Sequence, residues 1–218
     1  MLAMQALGSY PITLAGEPEQ KALYLPAIAK RECIMAFALT EAEAGSDVSC
    51  LTTRAVRHDG AFRLSGTKRF VSNAGIANNY LVFASTNPGL RGKGISAFIV
   101  NPTLSGVIIK EKSTLLSPHP IGMIYFDDCI VPESHLIGGE DHGLQLGFQT
   151  LDLLRCTVGA AALGFAQRAL DEAICTASSD ISSVGYRSIS GSSIPTRGNG
   201  NEPGGGALVG LSSGLGAR

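Results

Sequence analysis

Three groups of residues have types and spacing that could do chemistry. In "FALTEAEAGSDVSC", residues 37–50, an apolar run breaks at Thr40 into acidic residues, then Gly45, Ser46 and Asp47. Gly45 permits close backbone approach or a positive φ. The hydroxyls and carboxylate beside it could meet a ligand, or form a solvated turn with local Asx bonds. In "GTKRFVSNAG", residues 66–75, Phe70 and Ser72 share one strand face by the two-residue period, and Val71 faces the other way. A ring and a hydroxyl on one face could meet a flat ligand with polar edges, or form an ordinary edge pair. Asp152 and Arg155 stand i, i+3 on a helical pattern and can pair. Arg155 interrupts an apolar stripe, so partial burial is expected, and a buried guanidinium needs a partner. A structural salt bridge and an anion-recognition site both fit.

Other candidates carry less. "GLRGKG" lacks the spacing and hydroxyl of a phosphate loop and reads as a turn. His58, His119, His135 and His142 have no metal-ligand spacing on one element, so no metal is assigned.

The elements that position these residues divide the chain into four. Residues 1–36 read as helical remnants, with acidic residues opening "EPEQKALYLPAIAKRE", basic ones closing it, and Pro26 expected to end or kink it. Residues 37–133 read as a β-domain of short runs punctuated by Gly, Pro and Asn, with a hairpin turn at His58-Asp59-Gly60. No helical pattern separates those runs, which predicts an antiparallel barrel or sandwich, and so an α+β chain with a central β-domain flanked by helices. Residues 140–177 return to a helical pattern. Leu144, Phe148, Leu151, Val158, Ala162, Phe165, Ala169 and Ala173 make an apolar stripe that calls for partner helices. Residues 178–218 are dominated by Gly and Ser and read as a disordered tail.

The 218 residues contain 44% hydrophobic and 16% charged side chains, with a formal net charge of -1. That balance gives no basic field for nucleic acid. No apolar run reaches the ~20 residues of a membrane helix, and the start lacks the charge pattern of a secretory signal. The five cysteines form no C-x-x-C pair, which favours buried free thiols, a reducing compartment and no secretion.

Taken together, "FALTEAEAGSD", "GTKRFVSNAG" and "FDDCIVPESHLIGGEDHGLQLGFQTLDLLR" resemble the acyl-CoA dehydrogenase family of FAD-dependent flavoenzymes, and "YPITLAGEPEQKALYLPAIAKRE" resembles the approach to the family's first motif. The likeness runs from about Tyr10 to Cys175, and the order of several motifs makes it specific. It implies a helical N-terminal domain, a β-barrel-like middle domain and a C-terminal helical bundle, with FAD between the last two. It places Phe37, Leu39, Thr40, Gly45, Ser46, Phe70, Val71 and Ser72 at the flavin, Ser72 towards N5. It places Ser46, Asp152 and Arg155 at the acyl-CoA. The implied reaction is α,β-desaturation of an acyl-CoA with hydride transfer to FAD. The implied partners are acyl-CoA, an electron-transfer flavoprotein-like acceptor, and a second copy or a completing chain, in the cytoplasm or a mitochondrial matrix.

The sequence departs from the family at both ends. Most of the N-terminal helical domain is missing, and after "QRALDEAICTASS" the bundle sequence gives way to Gly and Ser, as in a truncation or frameshift. In most members of that family the catalytic base lies late in the bundle, so the resemblance implies that this chain lacks it. At the alternative position before the D-x-x-R arginine stands Leu154, which cannot take a proton, and Glu133, Glu140 and Glu172 lie elsewhere. The expectation is a dehydrogenase-like flavoprotein incomplete for catalysis, the alternative a non-catalytic FAD- or acyl-CoA-binding module. A related oxidase or flavin monooxygenase also fits, and a glycan-binding jelly roll fits poorly because the chain has no Trp.

Overall fold

The computed structural model describes residues 2–113, 115–116 and 119–183. They include two compact units, one running to Arg168 and a second starting at Ala169.

The first unit opens with helices α1 (Leu2–Ala15) and α2 (Pro18–Ala29). Pro18 starts α2 where its missing N–H costs nothing. Glu17 and Gln20 form a capping box, and the Gln20 amide also donates to the carbonyls of Ser134 and Leu136 at 2.7 and 2.9 Å. Pro26 does not break α2 where it stands; the helix runs on to Ala29 and closes through Arg31 at φ 65.

The β strands are β1 (Met35–Ala38), β2 (Arg54–His58), β3 (Ala61–Ser72), β4 (Asn79–Ser85), β5 (Ile95–Val100), β6 (Val107–Ser113), β7 (Ile121–Pro132) and β8 (Leu136–Ile137). They form one eight-stranded sheet in the order β6-β7-β3-β2-β4-β5-β8, with β1 beside β4. Asp59 at φ 46 and Gly60 at φ 73 make the expected tight turn between β2 and β3. The sequence "GLRGKG" lies in a short 3₁₀ stretch, Pro88–Gly94, between β4 and β5.

The sheet differs from a closed antiparallel barrel in two ways. It stays open, ending at β6 on one side and at the two-residue β8 on the other. It also contains parallel pairings, β1 with β4 and the single pair Arg54–Ser85 of β2 with β4. β1 arrives from a helix and not from a hairpin, so nothing forces it antiparallel to its neighbour.

That single-pair junction lets the two halves of the sheet face each other. Phe62, Leu64, Ile124 and Phe126 from β3 and β7 share a core with Tyr80, Val82, Phe98 and Val100 from β4 and β5. The Phe62 and Phe98 rings meet at 4.9 Å. The opposite faces of β4 and β5, with Leu81, Phe83, Ile95, Ala97 and Ile99, pack with Ile12 of α1 and with Leu144 and Leu146. Burial on both faces is why these two strands read as continuous apolar runs.

Helix α3 covers Gly143–Ser183, so residues 178–183 are helical and the rest of the Gly/Ser-rich tail lies outside the described residues. Gly143 opens it against β5: a Cβ there would collide with the Ser96 carbonyl carbon. Leu144, Leu146 and Thr150 are buried, and then α3 leaves the core. Val158, Leu163 and Phe165 are exposed. Arg155 is exposed as well, at 73% of its side chain, which corrects the expected partial burial. The stripe that should have enclosed it faces solvent beyond the first turns of the helix.

Among the described residues no helix is long and apolar enough to cross a membrane, and no cluster of His, Cys, Asp and Glu could hold a metal ion.

Candidate functional site

A cleft of about 380 Å³ opens where the end of β1, the loop after it and the end of β3 meet α1 and the start of α3. Its walls include Phe37, Leu39, Thr40, Gly45, Ser46, Phe70 and Ser72. Seven of the eight residues expected at a flavin therefore line one cleft. The eighth, Val71, is buried in the core between β3 and its partners, as its place on the opposite strand face requires.

The loop after β1 is fixed from beneath by a buried ion pair. Lys68 Nζ lies 2.7 Å from Glu41 Oε1 and also donates to the Leu39 carbonyl at 3.1 Å. The Glu41 carboxylate further accepts from the Thr52 N–H at 2.6 Å, the Thr52 hydroxyl at 2.8 Å and the Thr53 N–H at 3.1 Å. Burial alone would raise the Glu41 carboxyl, but the Lys68 ammonium and these donors outweigh it and hold it at about 2. Burial pushes the Lys68 amine down to about 8, against the pull of Glu41. The Arg69 N–H donates to the Thr40 carbonyl at 2.8 Å, which ties the loop to β3 a second time. Thr40 is thus held between two tied residues, and the hydroxyls of Thr40 and Ser46 have no hydrogen-bond partner among the described residues.

Phe70 stands at an irregularity. The β3–β7 register shifts between Lys68 and Val71, and Phe70 takes φ 54, a left-handed conformation uncommon for a bulky side chain. The result is a phenyl ring 62% exposed at the mouth of the cleft, with the Arg69 guanidinium 5.4 Å from its centroid. A large apolar ring turned outward through a strained backbone is a feature found at ligand sites. Gly45 does not use the positive φ open to glycine; a Cβ there would meet nothing within 4 Å. Asp47 forms the anticipated Asx turn, accepting from the Ser49 N–H at 3.1 Å and its hydroxyl at 2.6 Å.

Asp152 and Arg155 pair at 2.9 Å but lie outside this cleft. Asp152 lines a wider cleft of about 750 Å³ with Lys93, Asp141, His142 and Gln149, which shares Phe148 with the first. Leu154 and Arg155 line a small cleft that shares Leu7 and Leu151 with the first. Glu133 and Glu140 both bind Arg57, at 2.9 and 2.8 Å. Cys33 and Cys129 are buried free thiols, whereas Cys50, Cys156 and Cys175 are exposed, contrary to the expectation of general burial.

Sequence reasoning missed Met4, Leu7, Val48, Arg69, Phe148 and Leu151 in the first cleft. Phe148 and Leu151 were visible as an i, i+3 apolar pair, but nothing in the pattern says that Phe148 faces a cleft. No carboxylate lines the first cleft among the described residues.

Comparisons with known proteins address the family and the fold. Residues 36–129 match the acyl-CoA dehydrogenase middle domain. The acyl-CoA dehydrogenase of Bacillus subtilis is 37% identical over 171 residues, which are 78% of this chain and 45% of the relative. The butyryl-CoA dehydrogenase structure from Megasphaera elsdenii superposes with a TM-score of 0.77 at 33% identity, over 79% of this chain and 46% of that one. The structure of PigA with FAD and proline superposes with a TM-score of 0.67 at 31% identity, over 69% of this chain and 40% of that one. The chain therefore spans less than half the length of these relatives. Residues 36–129 thus carry the middle domain of the acyl-CoA dehydrogenase family, and the likeness to its members extends over nearly four fifths of the chain.

Proposed function

We propose that the first cleft binds the flavin ring of FAD and that the chain is an acyl-CoA dehydrogenase-like flavoprotein incomplete for catalysis by itself. The observation that carries this reading is the convergence of an outward Phe70 ring with the Thr40, Ser46 and Ser72 hydroxyls on one cleft. Apolar walls with a few placed polar groups suit a planar heteroaromatic ring. Thr40 and Ser46 supply free hydroxyls at its edges, and Phe70 supplies a face. FAD, when bound, would take the β-hydride of an acyl-CoA as the α-proton leaves. The PigA complex with FAD supports the cofactor, and the butyryl-CoA dehydrogenase likeness supports an acyl-CoA substrate.

The protein's own part is to hold and orient. Glu41 and Lys68 stiffen the loop that carries Thr40. Ser46 stands at the open rim for the acyl-thioester arm, and Asp152 and Arg155 stand on α3 for the CoA portion. The α-proton needs a carboxylate base, and the cleft offers none, with Leu154 at the neighbouring position. The chain alone is therefore proposed to bind without turning over. A second, different polypeptide would supply the base, and the electrons would leave to an electron-transfer flavoprotein-like acceptor. A cytoplasmic or organelle-matrix setting fits five cysteines without a disulfide.

The test is dye reduction by the FAD-loaded chain with butyryl-CoA. No turnover alone, and turnover on adding the C-terminal half of a relative in trans, is the expected result. Turnover by the chain alone contradicts the assignment of an absent base.

A further inference from the structure

We propose that His119 is a positioning residue that sets the direction of the Ser72 hydroxyl, so that Ser72 donates its proton into the cleft. His119 Nε2 lies 2.8 Å from Ser72 Oγ. Ser72 lines the cleft, and His119 stands behind it, half-buried.

The placement is held by more than one bond. Ser72 pairs with Ile121 at the end of β3, and the Asn73 N–H donates to the Pro120 carbonyl at 2.8 Å. Asn73 is itself buried, and its side-chain amide donates to the Met35 carbonyl at 3.0 Å. The segment carrying His119 is thereby pinned to the strand end carrying Ser72, and that strand end is pinned to β1.

The chemistry follows from counting protons. A serine hydroxyl has one proton to give and two lone pairs to offer. If His119 Nε2 accepted, the Ser72 proton would be spent on the ring and the cleft would see only lone pairs. If Nε2–H donates, a Ser72 lone pair is spent instead and its proton is free for the cleft. An acceptor atom on the ligand selects the second arrangement, and His119 can supply it as the Nε2–H tautomer of the neutral ring. This rests on the flavin reading, in which the acceptor is flavin N5.

The experiment measures FAD and 5-deaza-FAD affinity, by fluorescence and absorbance titration, for the full chain and for the His119→Leu and His119→Gln variants. 5-Deaza-FAD carries C–H in place of the N5 acceptor. His119→Leu is expected to weaken FAD roughly two- to tenfold, the size of one hydrogen bond. It should leave 5-deaza-FAD unchanged, and His119→Gln, whose amide N–H can donate, should restore FAD. Equal weakening of both flavins would overturn the proposal, because a merely structural role predicts it. Unchanged FAD affinity in His119→Leu would overturn it while leaving the flavin site intact. No FAD binding by the unaltered chain would overturn the flavin reading and this proposal with it. Nitrogen-15 NMR of the FAD-bound, unaltered chain gives a check free of any variant: an Nε2–H tautomer is expected, and an Nδ1–H tautomer overturns the proposal.

Discussion

Lys68 and Glu41 form a fully enclosed ion pair, 2.7 Å between Nζ and Oε1, directly beneath the loop that lines the cleft. Lys68 side-chain exposure is 0% and that of Glu41 is 5%. Removing one partner of such a pair strands a buried charge. Lys68→Met should cost about 3–5 kcal/mol in urea unfolding. The double variant Lys68→Met, Glu41→Leu should recover much of that loss, since neither charge remains. A double variant as unstable as the single one would show that the hydrogen bonds to Thr52 and Thr53, and not the ion pair, carry the stability.

Glu41 also sets an acid limb. Its folded-state value of about 2 lies below the ordinary 4.5, so the folded state binds the proton less readily than the unfolded one. The stabilisation is fully present above about pH 4.5 and is lost as pH falls towards 2. Unfolding free energy measured across that window should fall with acid, and Glu41→Gln should flatten the dependence.

Phe70 separates stability from binding. It holds φ 54, where glycine is comfortable and phenylalanine is strained. Phe70→Gly should leave the thermal midpoint unchanged or raise it, because an exposed ring loses little by removal. The same change should weaken FAD roughly two- to tenfold by loss of the ring contact. A lowered midpoint with unchanged FAD affinity would assign Phe70 to the fold instead.

The Asp152–Arg155 pair is solvent-exposed on both sides, so Asp152→Ala should change stability by no more than about 0.5 kcal/mol. If the pair serves the CoA portion, Arg155→Ala should weaken coenzyme A binding in calorimetry. Identical coenzyme A affinity in the variant would remove the pair from the site.

Much of the fold was legible because Gly, Pro and Asn punctuate the strands and because Asp59-Gly60 can hardly be anything but a hairpin turn. The cleft was legible through the two polar breaks that line it. Other features depend on contacts distant in sequence. Nothing local in "GTKRF" signals the burial of Lys68, because its partner Glu41 lies 27 residues away. The left-handed backbone at Phe70 comes from a register shift against β7, which no local pattern records. The parallel placement of β1 depends on how a helix delivers it. Arg155 was misjudged because an apolar stripe signals a buried face only when something covers it.

The most direct test of the account is a titration of the purified chain with FAD, followed by flavin fluorescence and by the thermal midpoint. Because a ligand of the folded state must raise its stability, the account predicts saturable quenching at one FAD per chain and a midpoint that climbs with FAD, both diminished in Phe70→Gly. Flavin that stays free in solution, with a midpoint that does not move, would contradict the assignment of this cleft to FAD.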